Sequence, residues 1–369
     1  MTQRSDGMTY APKGKPCAVV GPGEFPFAAV SLDHGHIYGQ CNGLIEAGAA
    51  LVAVYDPDPV KVEKFRATFP QARAARSRAE VLEDPRIRLV AAAAIPDLRG
   101  PLGCAVMEHG KHYFTDKCPF TTLPQLWQAR AATQRTGKRY AVYFSERLHV
   151  ECAVHAGALI GQGAIGRVVQ VLGLGPHRLN AASRPDWFFA RERYGGILCD
   201  IGSHQVEQFL SYTGNTEARV VHSAVGNFNA PEHPELEDFG ELNVVGGNGA
   251  VGYHRVDWLT PAGLGAWGDG RTIILGTEGY IELRKYIDVA AGRGGDHLII
   301  VDRAGERRLD LTGQVGFPFF GQLIRDCLDG TSTSMTQDHI FKAAELSLVA
   351  QARAVRVTST PDAAVAVGR

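Results

Sequence analysis

The chain has 369 residues, of which 45% are apolar and 21% charged, with a formal net charge of −1 and seven cysteines. That length is too great for one ordinary core and points to two domains with a globular composition. A nearly neutral chain without a basic block is a poor match for nucleic acid or an anionic membrane surface. It also lacks a secretory h-region and any long uncharged apolar run, which predicts a cytoplasmic protein that neither crosses nor coats a membrane. The cysteines (17, 41, 104, 118, 152, 199 and 327) are scattered and form no C-x-x-C. Neither a disulfide framework nor a bound metal is therefore expected.

Residues 1–16 are polar and rich in Lys, Gly and Pro, and read as a flexible N-terminal arm. From residue 17 to residue 147, short apolar runs alternate with helical stretches. The runs are 27–32, 51–55, 89–94 and 112–114; the helical stretches are 37–47, 60–69, 78–82, 100–109 and 123–135. Continuous apolar runs suit strands buried on both faces, so this part reads as a doubly wound parallel sheet of Rossmann type. Residues 148–369 read differently. A helical stretch near 150–160 leads into closely spaced strands at 168–173, 218–228, 239–245, 250–258, 271–275, 280–283 and 297–302. Glycine-containing turns between them predict an α/β domain with a mostly antiparallel open sheet. Two final helices, near 321–328 and 338–354, are expected to pack back.

A doubly wound sheet binds nucleotides at the carboxyl ends of its strands. Two turns compete for that place. Gly21-Pro22-Gly23 offers a G-x-G, but its prolines suit a helix start poorly and no third glycine follows on schedule. The better candidate is the turn that opens a helix after the first long run, giving Leu32, Asp33, His34, Gly35 and His36 as cofactor-loop residues. Asp56 stands twenty residues beyond His36, at the end of the next strand. A carboxylate there accepts hydrogen bonds from ribose hydroxyls and repels a 2′-phosphate, which favours NAD while leaving NADP open.

The densest chemical signal is Gly195-Gly196-Ile197-Leu198-Cys199-Asp200-Ile201-Gly202-Ser203-His204. On a helix, Asp200 and His204 lie one turn apart on the same face. A carboxylate beside an imidazole can handle a proton, although most such pairs are solvated helix contacts.

At this point the sequence resembles the Gfo/Idh/MocA oxidoreductases, the family of glucose-fructose oxidoreductase and inositol dehydrogenase. The resemblance rests on four motifs in order. Leu51–Asp58 is similar to the family's second strand, and Ile95-Pro96-Asp97 to its Thr-Pro-Asn turn. His109–Pro119 matches the stretch that usually ends Glu-Lys-Pro, and Gly195–His204 matches the second-domain motif. The resemblance implies a Rossmann domain followed by a substrate domain whose open sheet faces the cofactor. It implies Lys117, Asp200 and His204 as the catalytic set, with Pro96 and Asp116 beside the cofactor. Lysine is cationic at neutral pH and serves as the donor to the alcohol oxygen, while imidazole is the natural base. Asp200 would hold the imidazole tautomer or anchor a neighbouring hydroxyl.

The departures are specific. The first loop carries Asp33, His34 and His36 where the family usually has glycines, Cys118 replaces a proline, and Glu207 replaces an aspartate. Arg147, His177 and Trp187 stand where they could touch substrate. Arg147 could equally pair with Glu146, and Trp187 could simply pack in the core. The expectation is an NAD(P)-dependent dehydrogenase or reductase acting on a secondary alcohol of a sugar, sugar derivative or cyclitol. A homodimer or homotetramer through the second-domain sheet is expected. The alternatives are a redox-assisted glycosidase, epimerase or lyase holding NAD tightly and, less favoured, a cofactor-binding sensor without chemistry.

Overall fold

The computed structural model describes residues 7–357 apart from Thr9 and Arg293. Residues 1–6 of the expected arm and 358–369 of the expected second domain lie outside the described residues.

The first sheet contains β1 (Pro26–Val30), β2 (Ala50–Tyr55), β3 (Arg73–Ala74), β4 (Leu89–Ala92), β5 (His112–Asp116) and β6 (Tyr140–Tyr143). They run in the order β3-β2-β1-β4-β5-β6, and all pairings are parallel. Every residue of β4 and β6 is buried, as continuous apolar runs require when helices cover both faces. Three intervening helices begin at side-chain caps: Asp58, Ser77 and Thr122 accept from backbone N–H groups of Val60, Glu80 and Gln125. The chain winds outward from β1 to β3, then restarts at β4 on the other side. The carboxyl ends of β1 and β4 therefore frame the crevice at the topological switch point. Gly21–Gly23 precedes β1, so it cannot be the cofactor turn.

The second sheet has nine strands: β7 (Val168–Pro176), β8 (Ala218–Gly226), β9 (Phe239–Gly246), β10 (Val251–Asp257), β11 (Arg271–Gly276), β12 (Tyr280–Arg284), β13 (His297–Asp302), β14 (Gly305–Asp310) and β15 (Val355–Val357). Their order is β14-β13-β12-β11-β7-β10-β9-β8-β15. Only β7/β10 and β8/β15 pair in parallel. Burial alternates along β9 and β11, so one face is packed and the other partly open. The packed face receives the helix Gly202–Thr213. Glycines in β7 allow its close approach: a Cβ on Gly173 would lie 2.3 Å from Gln205 Oε1.

Two long-range contacts tie the halves together. The helix Gln337–Arg353 reaches back to the first sheet, where the Gln337 side chain accepts from Tyr140 N (2.9 Å) and donates to Tyr140 O (3.1 Å). That covers the edge strand β6. Two described residues of the expected arm, Tyr10 and Gly14, are also tied down. Gly14 N donates to Glu46, and Tyr10 packs edge-on against Tyr286 of the second domain, ring centroids 5.5 Å apart. The expected helices begin and end close to their bounds, except that Pro96–Glu108 and Pro318–Asp329 start earlier; the helix Gly202–Thr213 was not among them. The short strand β3 and the polar, exposed edge strand β14 lack the apolar patterning that marks their neighbours. Among the described residues no helix is long and apolar enough to cross a membrane.

Candidate active site

Lys117 follows directly on β5, and its peptide bond to Cys118 is cis. The buried Arg99 holds this turn. Its guanidinium donates to the carbonyl of Ala94 (2.7 Å), to the carbonyls of Lys117 and Cys118, and lies 3.4 Å from Asp116 Oδ2. Lys117 is 4% exposed and reaches into the second domain, where its Nζ donates to Asp200 Oδ1 at 2.5 Å.

Asp200 is delivered by the glycine pair. Gly195 and Gly196 adopt φ of +87° and +92°, where a side chain would be strained. A Cβ on Gly196 would also lie 2.3 Å from Gln351 Oε1, the atom that accepts from Leu198 N. Glu237 accepts from Ile197 N, so the first turn of this helical segment is capped by two buried side chains. The expected Asp200–His204 partnership is not what forms, because the carboxylate is committed to Lys117. His204 Nδ1 has no hydrogen-bond partner among the described residues.

His204 and Lys117 line one small pocket, with free space of about 20 Å³, together with His34, His36, Glu146, His177, Arg184, Trp258, Trp267, Gly7, Met8 and Tyr10. Burial pushes the pKa of His204 well below 6.5, and the Lys117 charge adds to that. Burial does the same to His177 and His34. These rings are neutral at physiological pH and can accept protons.

The unusual loop is organised by Asp116. His36 Nδ1 lies 2.9 Å from its Oδ1 and His34 Nδ1 3.4 Å from its Oδ2, so three potential metal-ligand atoms lie within 4.8 Å of one another. The same carboxylate is also bound by Arg99 and by Lys117 N. Burial alone would raise the pKa of Asp116, but the imidazoles and the Arg99 charge outweigh it and hold it far below the carboxylate range. Ser31, at the end of the strand that leads into this loop, adopts a left-handed φ of +55°.

At the adenosine end, Asp56 Oδ2 accepts from Leu32 N at 2.6 Å and Oδ1 from Asp58 N at 2.9 Å. Each oxygen retains acceptor capacity for a vicinal diol, so the acceptor set fits the ribose of a nicotinamide dinucleotide. Asp33 is neutralised by Lys61 at 2.6 Å. Gly35 is the N-cap of the helix His36–Glu46, and Pro96 opens the helix after β4; both stand at the crevice.

Two expectations need correction. Arg147 does not line the pocket. Its Nε donates to both Glu207 oxygens at 2.9 Å, which His339 and Ser211 also contact. Trp187 lies in a short 3₁₀ turn beside Phe188 and does not line the pocket either. Cys118 and Cys199 are buried, and burial pushes the Cys118 thiol up to about 12 and the Cys199 thiol well above its ordinary value, so neither is a reactive thiolate. Glu146, Trp258, Trp267, Arg99 and Tyr10 escaped the sequence reading. Glu146 alone left a signal, its position beside the suspected Arg147.

Comparison with known proteins agrees with this geometry. Residues 15–144 match the oxidoreductase family with an NAD-binding Rossmann fold, and residues 154–282 match the GFO/IDH/MocA C-terminal domain. A solved oxidoreductase-type structure from Erwinia carotovora atroseptica SCRI1043 is 48% identical, with a TM-score of 0.88, covering 90% of this chain and 100% of that one. D-xylose dehydrogenase of Paenarthrobacter nicotinovorans is 26% identical over 129 residues, 34% of this chain and 33% of that protein. The oxidoreductase YdgJ of Escherichia coli K12 is 28% identical over 173 residues, 45% of this chain and 47% of its own length. The matched stretch thus spans between a third and a half of these curated relatives. With both domain types matched in order across most of the described chain, the protein belongs to the Gfo/Idh/MocA oxidoreductases and carries their NAD-binding Rossmann domain.

Proposed function

We propose that this enzyme transfers hydride between NAD and a secondary alcohol of a sugar, sugar derivative or cyclitol. The observation that carries the reading is the convergence of the Lys117 ammonium and the His204 imidazole, from different domains, on one small pocket beside the cofactor loop. When bound, NAD supplies the hydride acceptor. Lys117, held by Asp200, keeps donors available for the alcohol oxygen and stabilises negative charge growing on it. His204, neutral because it is buried, takes the hydroxyl proton. The surrounding aromatic rings exclude water from the transfer. Asp56 selects NAD over its 2′-phosphorylated form by charge.

The relatives support the substrate class. One curated relative is named a D-xylose dehydrogenase, and a structural neighbour of 17% identity and TM-score 0.71 is a levoglucosan dehydrogenase solved with NADH and L-sorbose. The outer face of the second sheet exposes Ile273, Leu275 and Tyr280, and pairing of chains through it is part of the proposal. Screening sugars, polyols and cyclitols with NAD for absorbance of the reduced cofactor tests the activity. Tight NAD with no net turnover on any of them would overturn the reading in favour of internal redox cycling.

A further inference from the structure

Glu146 is 2% exposed, and the reaction as described leaves it without a role. Its Oε2 accepts from Gln205 Nε2 at 2.8 Å and from Lys285 Nζ at 3.2 Å. Lys285 in turn donates to Gln208 at 2.6 Å, so the carboxylate is fixed in place. Its other oxygen, Oε1, has no partner among the described residues. The ring of His177 stands across from it, with Nε2 4.0 Å away. His177 Nδ1 lies 3.2 Å from the carbonyl of Gly175 and donates to it, which leaves Nε2 as an acceptor. Two acceptors therefore face one another across a gap too wide for a hydrogen bond, and a donor must come from elsewhere. On the same pocket, the indole Nε1–H of Trp258 is buried and also has no partner among the described residues. A buried carboxylate oxygen and a buried N–H left unsatisfied are costly, and the pocket's free space of about 20 Å³ admits a hydroxyl-sized group that would relieve them.

The cations on this pocket are committed to other groups. Lys117 is tied to Asp200. The Arg184 guanidinium donates to the carbonyls of Leu179 and Arg178 and stacks over the rings of Phe188 and Trp258, 4.6 and 4.9 Å from their centroids.

We propose that Glu146 and Trp258 form a hydroxyl-recognition subsite, in which Glu146 Oε1 accepts from one substrate hydroxyl and Trp258 Nε1 donates to a substrate oxygen. The substrate is then a neutral polyhydroxylated ring, and a sugar acid that presents its carboxylate here is rejected by like charge. The inference rests on the dehydrogenase reading for its substrate class, but it is read by binding rather than by turnover.

The test is calorimetric titration of myo-inositol, D-xylose, D-glucose and D-glucuronate into NADH-loaded protein, for the wild type, Glu146→Gln and Trp258→Phe. At least one neutral compound binds the wild type. Glu146→Gln weakens it by about tenfold or more, the scale of a hydrogen bond to a charged group. Trp258→Phe, which keeps the aromatic packing, weakens it by about threefold to tenfold. D-glucuronate binds the wild type more weakly than D-glucose, and Glu146→Gln narrows that gap. In turnover, KM rises in both variants more than kcat falls. Unchanged affinity in both variants, tighter binding of the acid, or no binding of any neutral compound (a pocket that holds water only) would each overturn the subsite. Binding that depends on Glu146 without NADH formation from NAD would sink the dehydrogenase reading and leave the subsite standing. Turnover indifferent to Glu146 would do the reverse.

Discussion

Two buried ion pairs cross between the domains, and their local regions are built alike. Lys117 follows β5 and Arg147 follows the neighbouring β6; their acidic partners, Asp200 and Glu207, lie seven residues apart on one helical segment. The Arg147 side is saturated. Glu207 receives the guanidinium on both oxygens and adds His339 and Ser211. The Lys117 side is a single contact, and it opens onto the pocket. A saturated buried pair has nothing left to offer a ligand and acts as a clamp. A pair held by one bond in a cavity keeps donors available for chemistry. Charge and sequence context are nearly the same in the two regions, although Arg147 is more exposed than Lys117; the completeness of the hydrogen bonding separates them.

The largest test of this contrast is at the open pair. Lys117→Ala and His204→Ala should each lower kcat by about 10²–10³-fold, the usual scale for losing an oxyanion donor or a general base. NADH affinity, followed by fluorescence, should stay within a few-fold. Turnover within tenfold of wild type in both variants would remove the pocket from the chemistry.

At the saturated pair the loss should fall on stability. Arg147→Ala strands a buried carboxylate and should cost about 3–5 kcal/mol in urea unfolding, with kcat/KM of the folded protein little changed. The pH dependence has a defined sign. Burial would raise the pKa of Glu207, but Arg147 and His339 outweigh it and hold it at about 2, below its ordinary 4.5. The stability this pair contributes is therefore present above pH 4.5 and lost as pH falls toward 2. The gap in melting temperature between wild type and Arg147→Ala should narrow on acidification; a constant gap would refute the clamp.

A smaller effect should appear in the pH–rate profile. His204 must be neutral to act as base, and its pKa lies below 6.5, so the acidic limb of alcohol oxidation should fall below that pH. A limb at or above 6.5 would mean another group titrates. The smallest expected effect is at Trp187, where Phe should leave KM within about twofold, since removing an indole N–H outside the pocket costs no substrate hydrogen bond. A tenfold rise would place the indole N–H on the substrate, because Phe keeps the ring and removes only that donor.

Much of the fold was readable from local pattern. Uniform apolar runs marked β1, β2, β4 and β5 because strands covered on both faces need apolar side chains at every position. Asp56 and the glycine pair were readable for a related reason, since strand ends and positive-φ turns leave local traces, whereas Lys117 was marked only by the family resemblance. β14 was not readable, because its edge position and exposed side chains remove the apolar constraint.

The sequence by itself marked most of the strands and helices, though not β3, β6, β14 or β15, and with the family resemblance it marked a lysine, an aspartate and a histidine as candidate site residues. Only the tertiary structure decided that Asp200 binds Lys117 instead of His204, that Glu146 and not Arg147 faces the pocket, and that Trp258, Trp267 and Tyr10 complete its walls. The physical reason is the range of each constraint. Side-chain periodicity records only inside or outside for one element at a time, whereas partnership depends on which strand ends lie adjacent and how a helix rotates when it docks. One residue along a helical turn is a rotation of about 100°, enough to send Glu146 into the site and Arg147 to a clamp behind it.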